Sequence, residues 1–283
     1  MDGMPPTEVA SIGSIGLEVD AEFSEPKRRS MGFIHPEGFF QIVTPLVVVI
    51  VWEALSRFSI VDPRILAPPT AVVNQFWQLL REGQMMSDIW HTVGRFVVGT
   101  LVGLVPGLLI GLTFGLFRWT RAILRPLVMI LYPVPRIALF PLILIFIGLN
   151  ETSNYMMIAI GPFLTVIIIT MGAVLDIDPV YREVAVSFNT GLRDLYSLVT
   201  IPAALPAILG GVRIAVGEGL LATIAVEFLV TSDGIGALIW RSWQVLSLKD
   251  SLVGLVLAAT LGVVTFYIID IAERRLIPWQ DHG

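Results

Sequence analysis

Apolar stretches long enough to cross a bilayer recur along this chain. Clear examples occupy 92–117, 123–149, 155–175, 205–230 and 252–272, and a shorter run at 42–52 spans only if residues 54–60 continue its helix. A transmembrane helix needs about 20 predominantly apolar residues. We therefore predict an all-α polytopic membrane protein with six transmembrane helices.

The composition excludes several other classes of protein. Of the 283 residues, 55% are hydrophobic and 14% are charged, whereas about a quarter are charged in a soluble domain. The net charge of -5 provides no basic surface for nucleic acid. The two lysines, Lys27 and Lys249, lie outside any P-loop pattern, and the chain has no cysteine. We predict no catalytic, cofactor or metal site in this chain.

The predicted spans divide the chain into five segments. Residues 1–38 form a polar, disordered tail, and residues 39–60 form the first transmembrane helix. Residues 61–91 form an external connection, residues 92–276 form a core of five helices, and residues 277–283 form a second tail. Prolines 126, 133, 135 and 141 interrupt the span at 123–149, so we expect that span to be buried in the bundle or to line a cavity.

The basic residues predict the orientation of the chain. Six spans place both termini on one side. That side carries ten lysines and arginines outside the spans, whereas the other side carries five. Because cytoplasmic loops are enriched in lysine and arginine, both termini are predicted to be cytoplasmic, and the 61–91 connection is predicted to face outward.

Five glycines recur at a four-residue step in the second span. This step keeps them on one face of a helix, where two backbones can approach closely. A helix-packing role is the favoured interpretation, and a hinge for a moving helix is the alternative. The glycines are Gly99, Gly103, Gly107, Gly111 and Gly115.

The predicted cytoplasmic loop 176–206 is much longer than the connection between the third and fourth spans. Asp178 can cap a helix that has Pro179 at its first position. Asn189 and Gly191 tolerate the left-handed conformation that ends a helix. The loop is therefore predicted to form an ordered helix–turn–helix that projects from the membrane and could dock a partner.

This loop resembles the EAA loop of ABC importer permeases. The resemblance rests on Glu183-x-Ala185, a turn six to eight residues later, and the run Ile201-Pro202-Ala203-Ala204-Leu205-Pro206. Val184 stands where the family has its second alanine, and Asn189 stands where it usually has a glycine.

Other motifs are similar to those of the branch that carries sulfonates, taurine, nitrate and bicarbonate. They are Val61-Asp62-Pro63-Arg64, Tyr132-Pro133-Val134-Pro135, Gly211-Val212-Arg213-Ile214-Ala215, Ala225-Val226-Glu227, Gly234-Ile235-Gly236 and Glu273-Arg274-Arg275-Leu276. The resemblance covers about 40–280 and implies the type I importer permease fold.

The resemblance also implies a set of partners. Two permeases, expected to be identical, would form a dimer in a bacterial inner membrane. Two ATP-binding subunits would hold ATP and magnesium, and a periplasmic or lipid-anchored protein would deliver a small, anionic solute. The residues implied to contact the ATP-binding subunit are Glu183, Ala185, Phe188, Asn189, Thr190, Gly191, Leu192 and Arg193. A solvated loop surface is the alternative role for Glu183 and Arg193.

Four ionisable residues in the predicted spans are candidates for the translocation path: Arg136, Arg213, Glu218 and Glu227. Arg136 follows Arg125 by 11 residues, which corresponds to about 16 Å along a helix and to the membrane midplane. Glu218 lies at a similar depth. Arg136 either lines the path and favours anions or pairs with Glu218, and Glu227 serves either a structural hydrogen bond or a gate.

An ion-coupled secondary transporter is the alternative function. It would use Glu218 and Glu227 as its carboxylate relay, but it leaves the EAA-like loop without a role. An intramembrane enzyme is rejected, because the chain lacks an HExxH motif and no serine has an evident histidine partner at depth.

Overall fold

The computed structural model describes residues 36–62, 65–178, 180–181, 183, 187 and 191–278. Within these residues the structure is helical and contains no β-strand. The chain divides into two units, Met1–Val51 and Trp52–Gly283. In the first unit, the described residues belong to the helix that begins at Pro36.

The helices are named α1 to α9 in chain order. Their bounds are α1 Pro36–Arg57, α2 Pro69–Glu82, α3 Gln84–Leu116, α4 Arg118–Leu131, α5 Phe140–Ile147, α6 Glu151–Leu175, α7 Ile201–Val230, α8 Ile235–Gln244 and α9 Leu248–Leu276. A short helix, Leu192–Asp194, and a π-helical turn, Leu195–Thr200, lead directly into α7.

Four helical stretches in the described part of the chain are long and apolar enough to cross a membrane. They are Gln84–Leu116, Glu151–Leu175, Leu195–Val230 and Leu248–Leu276. A bent pair, Arg118–Leu131 and Arg136–Ile147, provides a fifth if it counts as one span. Helix α1, Pro36–Arg57, overlaps the first predicted span, 39–60, and the total of six spans stays a prediction.

The third predicted span is interrupted at its prolines. Its two halves meet at a bend of 91°. The break falls where Pro133 and Pro135 have no amide hydrogen to donate, and the chain resumes as a 3-10 turn at Arg136–Leu139. Within this chain α4 has no buried residue and α5 buries only Phe140, so the expectation that this span is buried in the bundle or lines a cavity stays a prediction.

Helix α6 lies at the centre of the second unit, between α3 and α7. Its N-terminus is fixed by a capping box, in which the Asn150 side chain accepts a hydrogen bond from the Ser153 amide at 3.2 Å. Its buried face includes Ile158, Val166 and Ile167, each at most 1% exposed. Because α6 contacts both long neighbours, it holds together the helices that carry the polar groups described below.

The glycines of α3 face α6 along its whole length. A Cβ added at any of the five would come within 3.0 Å of an atom of α6. From Gly99 to Gly115, the nearest α6 residues are Ile158, Ala159, Val166, Thr170 and Val174. The order is the same along both helices, so α3 and α6 run parallel and in backbone-close contact.

Candidate functional site

A charged pair lies between the break in the third span and α7. Arg136 Nη1 is 3.0 Å from Glu218 Oε2, and the Thr165 hydroxyl of α6 donates to the same carboxylate oxygen at 2.7 Å. Gly161 leaves room for them, because a Cβ there would lie 3.2 Å from Arg136 Nη1. We call Arg136, Glu218 and Thr165 the central pair site. The Arg136 and Glu218 side chains remain 27% and 25% exposed, so the site is neutralised and still accessible.

Arg213 belongs to a different site. It lies in the N-terminal half of α7, whereas Glu227 lies near the C-terminus of that helix. It forms an ion pair with Asp270 of α9, and its Nη1 lies 3.7 Å from Glu273 Oε2. Its guanidinium also lies over the Phe266 ring, 5.8 Å from the centroid. The Arg213 charge is thus balanced by two carboxylates of α9.

Glu227 lies in a third group of residues at the N-terminal ends of α3 and α6. Its side chain is fully buried. It accepts hydrogen bonds from the Thr92 hydroxyl at 2.8 Å, from the Gly236 amide at 2.9 Å and from Arg95 Nη1 at 3.2 Å. Three donors therefore compensate for the burial of this carboxylate.

Arg95 is the centre of this third group. Its side chain is only 4% exposed, and besides Glu227 it reaches Glu151 Oε1 at 2.6 Å and Asp233 Oδ1 at 2.5 Å. Asp88 completes the group by accepting from the Gly234 amide at 2.8 Å and from Arg241 Nη2 at 2.9 Å. We call the whole set the Arg95 cluster: Asp88, Thr92, Arg95, Glu151, Glu227, Asp233 and Arg241.

The Arg95 cluster joins four helices and one loop. Asp88, Thr92 and Arg95 come from α3, and the remaining members come from the start of α6, the end of α7, the loop 231–234 and α8. Gly234 has a φ of 108°, and a Cβ there would collide with the Glu227 carboxylate. A glycine is therefore required where the loop passes over Glu227.

Glu227 is the one member of the Arg95 cluster that the sequence reasoning proposed. The others were missed because their partners are far apart in the chain. A signal was available in α3, where Asp88, Thr92 and Arg95 follow a four-then-three spacing that places three polar residues on one face of the helix.

The predicted cytoplasmic loop 176–206, called the coupling loop below, is described only in part. Val180, Tyr181, Glu183 and Ser187 are helical, and the Val180 amide donates to Asp178 Oδ1 at 2.9 Å, which confirms the predicted cap. Glu183, Gly191 and Arg193 are exposed, and Leu192 lies in the short helix before the π-helical turn. The other proposed contacts, Ala185, Phe188, Asn189 and Thr190, lie outside the described residues.

Comparison with known proteins identifies the family. The family described as "Binding-protein-dependent transport system inner membrane component" matches residues 99–278. The chain belongs to this family. It is therefore an ABC transporter permease, and the predicted resemblance is confirmed.

Relatives of similar length carry related names. The putative aliphatic sulfonates transport permease protein SsuC of Bacillus subtilis (strain 168) is 28% identical, over 93% of this chain and 93% of its own. Its namesake from Escherichia coli (strain K12) is 31% identical, over 83% and 90% of the two chains. The taurine transport system permease protein TauC of E. coli is 27% identical, over 86% and 89%.

A solved structure supports the fold. The inward-facing MetNI methionine ABC transporter matches with a TM-score of 0.59 and 17% identity, over 69% of this chain and 97% of the compared chain. The all-helical fold is thus that of an ABC importer permease.

Membership in the family defines the role of the permease. It is a multi-pass inner-membrane protein and the non-catalytic transport subunit of its complex, and ATP hydrolysis belongs to a partner subunit. The family implies a complex with ATP-binding subunits and a binding protein, and its permeases bind no cofactor themselves. The ion-coupled alternative through Glu218 and Glu227 is not favoured.

Proposed function

We propose that this permease imports a small anionic solute of the sulfonate or taurine type, with nitrate and bicarbonate as the other members of the class. The observation that carries the proposal is that the relatives matching most of its length include permeases named for aliphatic sulfonates and taurine. A second support is Arg136, whose partly exposed guanidinium, although paired with Glu218, keeps N–H donors available to an anion.

We propose that both termini face the cytoplasm and that the Arg95 cluster faces outward. The support for this orientation is the ratio of ten to five basic residues on the two predicted sides. The N-terminal ends of α3 and α6 would then lie at the outer surface, where a binding protein delivers its solute. The coupling loop and the C-terminal end of α6 would lie at the inner surface.

The transporter would contain two copies of this chain within the lipid bilayer and two ATP-binding subunits that hold ATP and magnesium. We propose that Glu183, Gly191 and Arg193, together with the undescribed residues between them, contact the ATP-binding subunit. The exposure of these three residues supports the role, because a docking residue must be accessible. Closure of the ATP-binding subunits would move the docked loops and switch the spans between two states.

Among the four charged candidates, the central pair site is our choice for the translocation path. Arg136 and Glu218 are partly accessible, whereas Glu227 is fully buried and bonded to three donors. We therefore propose a structural role for Glu227. Arg213 is balanced by Asp270 and Glu273, and this arrangement supports a stabilising contact between α7 and α9.

Uptake measurements test the proposed transport. Cells that express the permease with its ATP-binding and binding-protein partners should accumulate labelled taurine or an alkanesulfonate, and vanadate but not an uncoupler should block the uptake. The matched control is the same system with residues 183–193 deleted, which should bind the solute outside the cell but not import it. Uptake abolished by the uncoupler and unaffected by vanadate would refute the ABC mechanism.

A further inference from the structure

A polar cavity of about 250 Å³ opens beside the Arg95 cluster. It lies between the start of α6, the end of α7 and the loop that follows α7. Its charged lining residues are Arg95, Glu151 and Asp233, and its uncharged polar ones are Asn150, Asn154, Thr231 and Ser232. The path candidates Arg136 and Glu218 do not line it, so the cavity is a site separate from the central pair.

The accessible groups in this cavity are mainly acceptors. Glu151 and Asp233 keep 50% and 38% of their side chains exposed, whereas Arg95 keeps 4% and already contacts three carboxylates. Arg95 therefore has little capacity left for a ligand, while the two carboxylates have lone pairs that face solvent.

The charges around the cavity do not balance. The lining of the cavity contains two carboxylates, Glu151 and Asp233, and one guanidinium group, Arg95, an excess of one negative charge when all are ionised. His91 Nε2 lies 3.8 Å from Asp233 Oδ2 and adds a positive charge only when it is protonated. This excess of negative charge among the lining residues favours a cation.

Asn154 provides an independent indication of a missing donor. The residue is 5% exposed and lines the cavity, and its Nδ2 donates to Glu151 Oε2 at 3.3 Å. Its Oδ1 is buried and accepts no hydrogen bond from any residue that the structure describes. A buried acceptor without a donor is costly, so this wall of the cavity favours a neighbouring group that donates hydrogen bonds.

We propose that this cavity receives a lysine or arginine side chain of the solute-binding protein. The ligand must carry a positive charge and several N–H donors, as an ammonium or guanidinium group does. The volume is below the 300–1,000 Å³ of sites that enclose a drug-sized ligand, and it suits a single side chain inserted from the surface. The proposal rests on the proposed function for the outward orientation and for the existence of the binding protein.

The absence of cysteine from the chain permits a clean test. Ser232→Cys places one thiol in the lining of the cavity. The full-length variant is expressed in cells that are converted to spheroplasts, so that the outer face of the inner membrane is accessible to reagents. The thiol is modified by two membrane-impermeant reagents, the cationic 2-(trimethylammonium)ethyl methanethiosulfonate and the anionic 2-sulfonatoethyl methanethiosulfonate. The control is Asn74→Cys on the exposed face of α2, with no charged residue within one turn along that helix.

We compare the rate of thiol modification by the cationic reagent with the rate by the anionic reagent. The ratio of these rates should be about tenfold larger at position 232 than at position 74, because one to two negative charges lie a few ångströms from position 232. Asp233→Asn and Glu151→Gln, each made in the Ser232→Cys background, should both reduce this preference. Asn74→Cys is combined with the same two substitutions, and unchanged modification rates at position 74 show that they leave the outer surface of the chain intact. A ratio equal to that at position 74, or one unaffected by both carboxamide substitutions, would overturn the proposal.

Two protecting ligands distinguish a partner side chain from a solute. Tri-lysine amide should slow modification at position 232 and leave position 74 unchanged, whereas taurine at the same concentration should not. Equal protection by taurine would make the cavity a solute site and would refute docking by a basic side chain. The assay needs no transport, so failed uptake with an intact cation preference would refute the proposed solute and leave the cavity proposal standing.

Discussion

Replacing Gly103 by alanine should weaken the contact between α3 and α6 more than its single added methyl group suggests. The new Cβ would come closest to the Ala159 carbonyl oxygen and would also lie 2.9 Å from the carbonyl carbon. Because this obstacle is backbone, a rotamer change cannot relieve the collision, and the two helices must move apart.

The magnitude follows from two opposing effects. Overpacking of a close contact costs about 1–3 kcal/mol, and a backbone obstacle places Gly103→Ala at the upper end. The higher helix propensity of alanine returns at most about 1 kcal/mol. The net loss should be about 2 kcal/mol, which lowers the melting temperature by about 4–8 °C for a chain of this size.

Gly94→Ala in the same helix is the matched control. A Cβ there has no atom within 4 Å, so this variant should melt at or slightly above the temperature of the unmodified chain. Thermal unfolding of the purified permease in detergent can be followed by the fluorescence of its seven tryptophans. Unchanged melting of Gly103→Ala, or an equal loss in Gly94→Ala, would refute the backbone-contact interpretation of the glycine face.

Four further substitutions test the two charged sites. Arg95→Ala should lower the free energy of unfolding by about 3–5 kcal/mol, because it leaves the buried Glu227 without its cation. Glu227→Gln should lower it by less. A lower melting temperature for Glu227→Gln than for Arg95→Ala would contradict the structural role of this ion pair. Gly234→Ala should cost about 1–3 kcal/mol in the same assay, since its φ of 108° is strained for alanine; melting as in the unmodified chain would show that the loop adapts. Arg136→Gln should reduce uptake at least about tenfold at unchanged membrane abundance if Arg136 attracts the solute; a loss of abundance instead would assign the pair with Glu218 to folding.

Local patterns in the sequence predicted much of the fold. Four apolar runs correspond to long helices, and the four-residue step of the glycines corresponds to a face in contact with α6. A continuous helix was assumed in placing Arg136 at the depth of Glu218; the structure breaks that helix after Leu131 and still brings the two side chains to 3.0 Å. The apolar runs and the glycine step were accessible because each depends on residues close together in the sequence.

The Arg95 cluster and the geometry of the break in the third span could not be predicted from local patterns in the sequence. Arg95 and Asp233 are separated by 138 positions, and no local spacing predicts their contact. The prolines showed that the third span is irregular, but the position and size of its bend depend on how Pro133 and Pro135 combine with the packing of the following turn. Long-range ion pairs and bends require the tertiary structure.

Co-purification tests the central claim that this chain is the permease of an ABC importer. The tagged permease is isolated from its native membrane under mild conditions, and the accompanying proteins are identified by mass spectrometry. An ATP-binding subunit with a P-loop should be recovered, and it should be lost when the exposed coupling residues Glu183 and Arg193 are both reversed in charge, whereas Gly94→Ala should retain it. An intact, folded chain that purifies without any ATP-binding subunit would contradict the account.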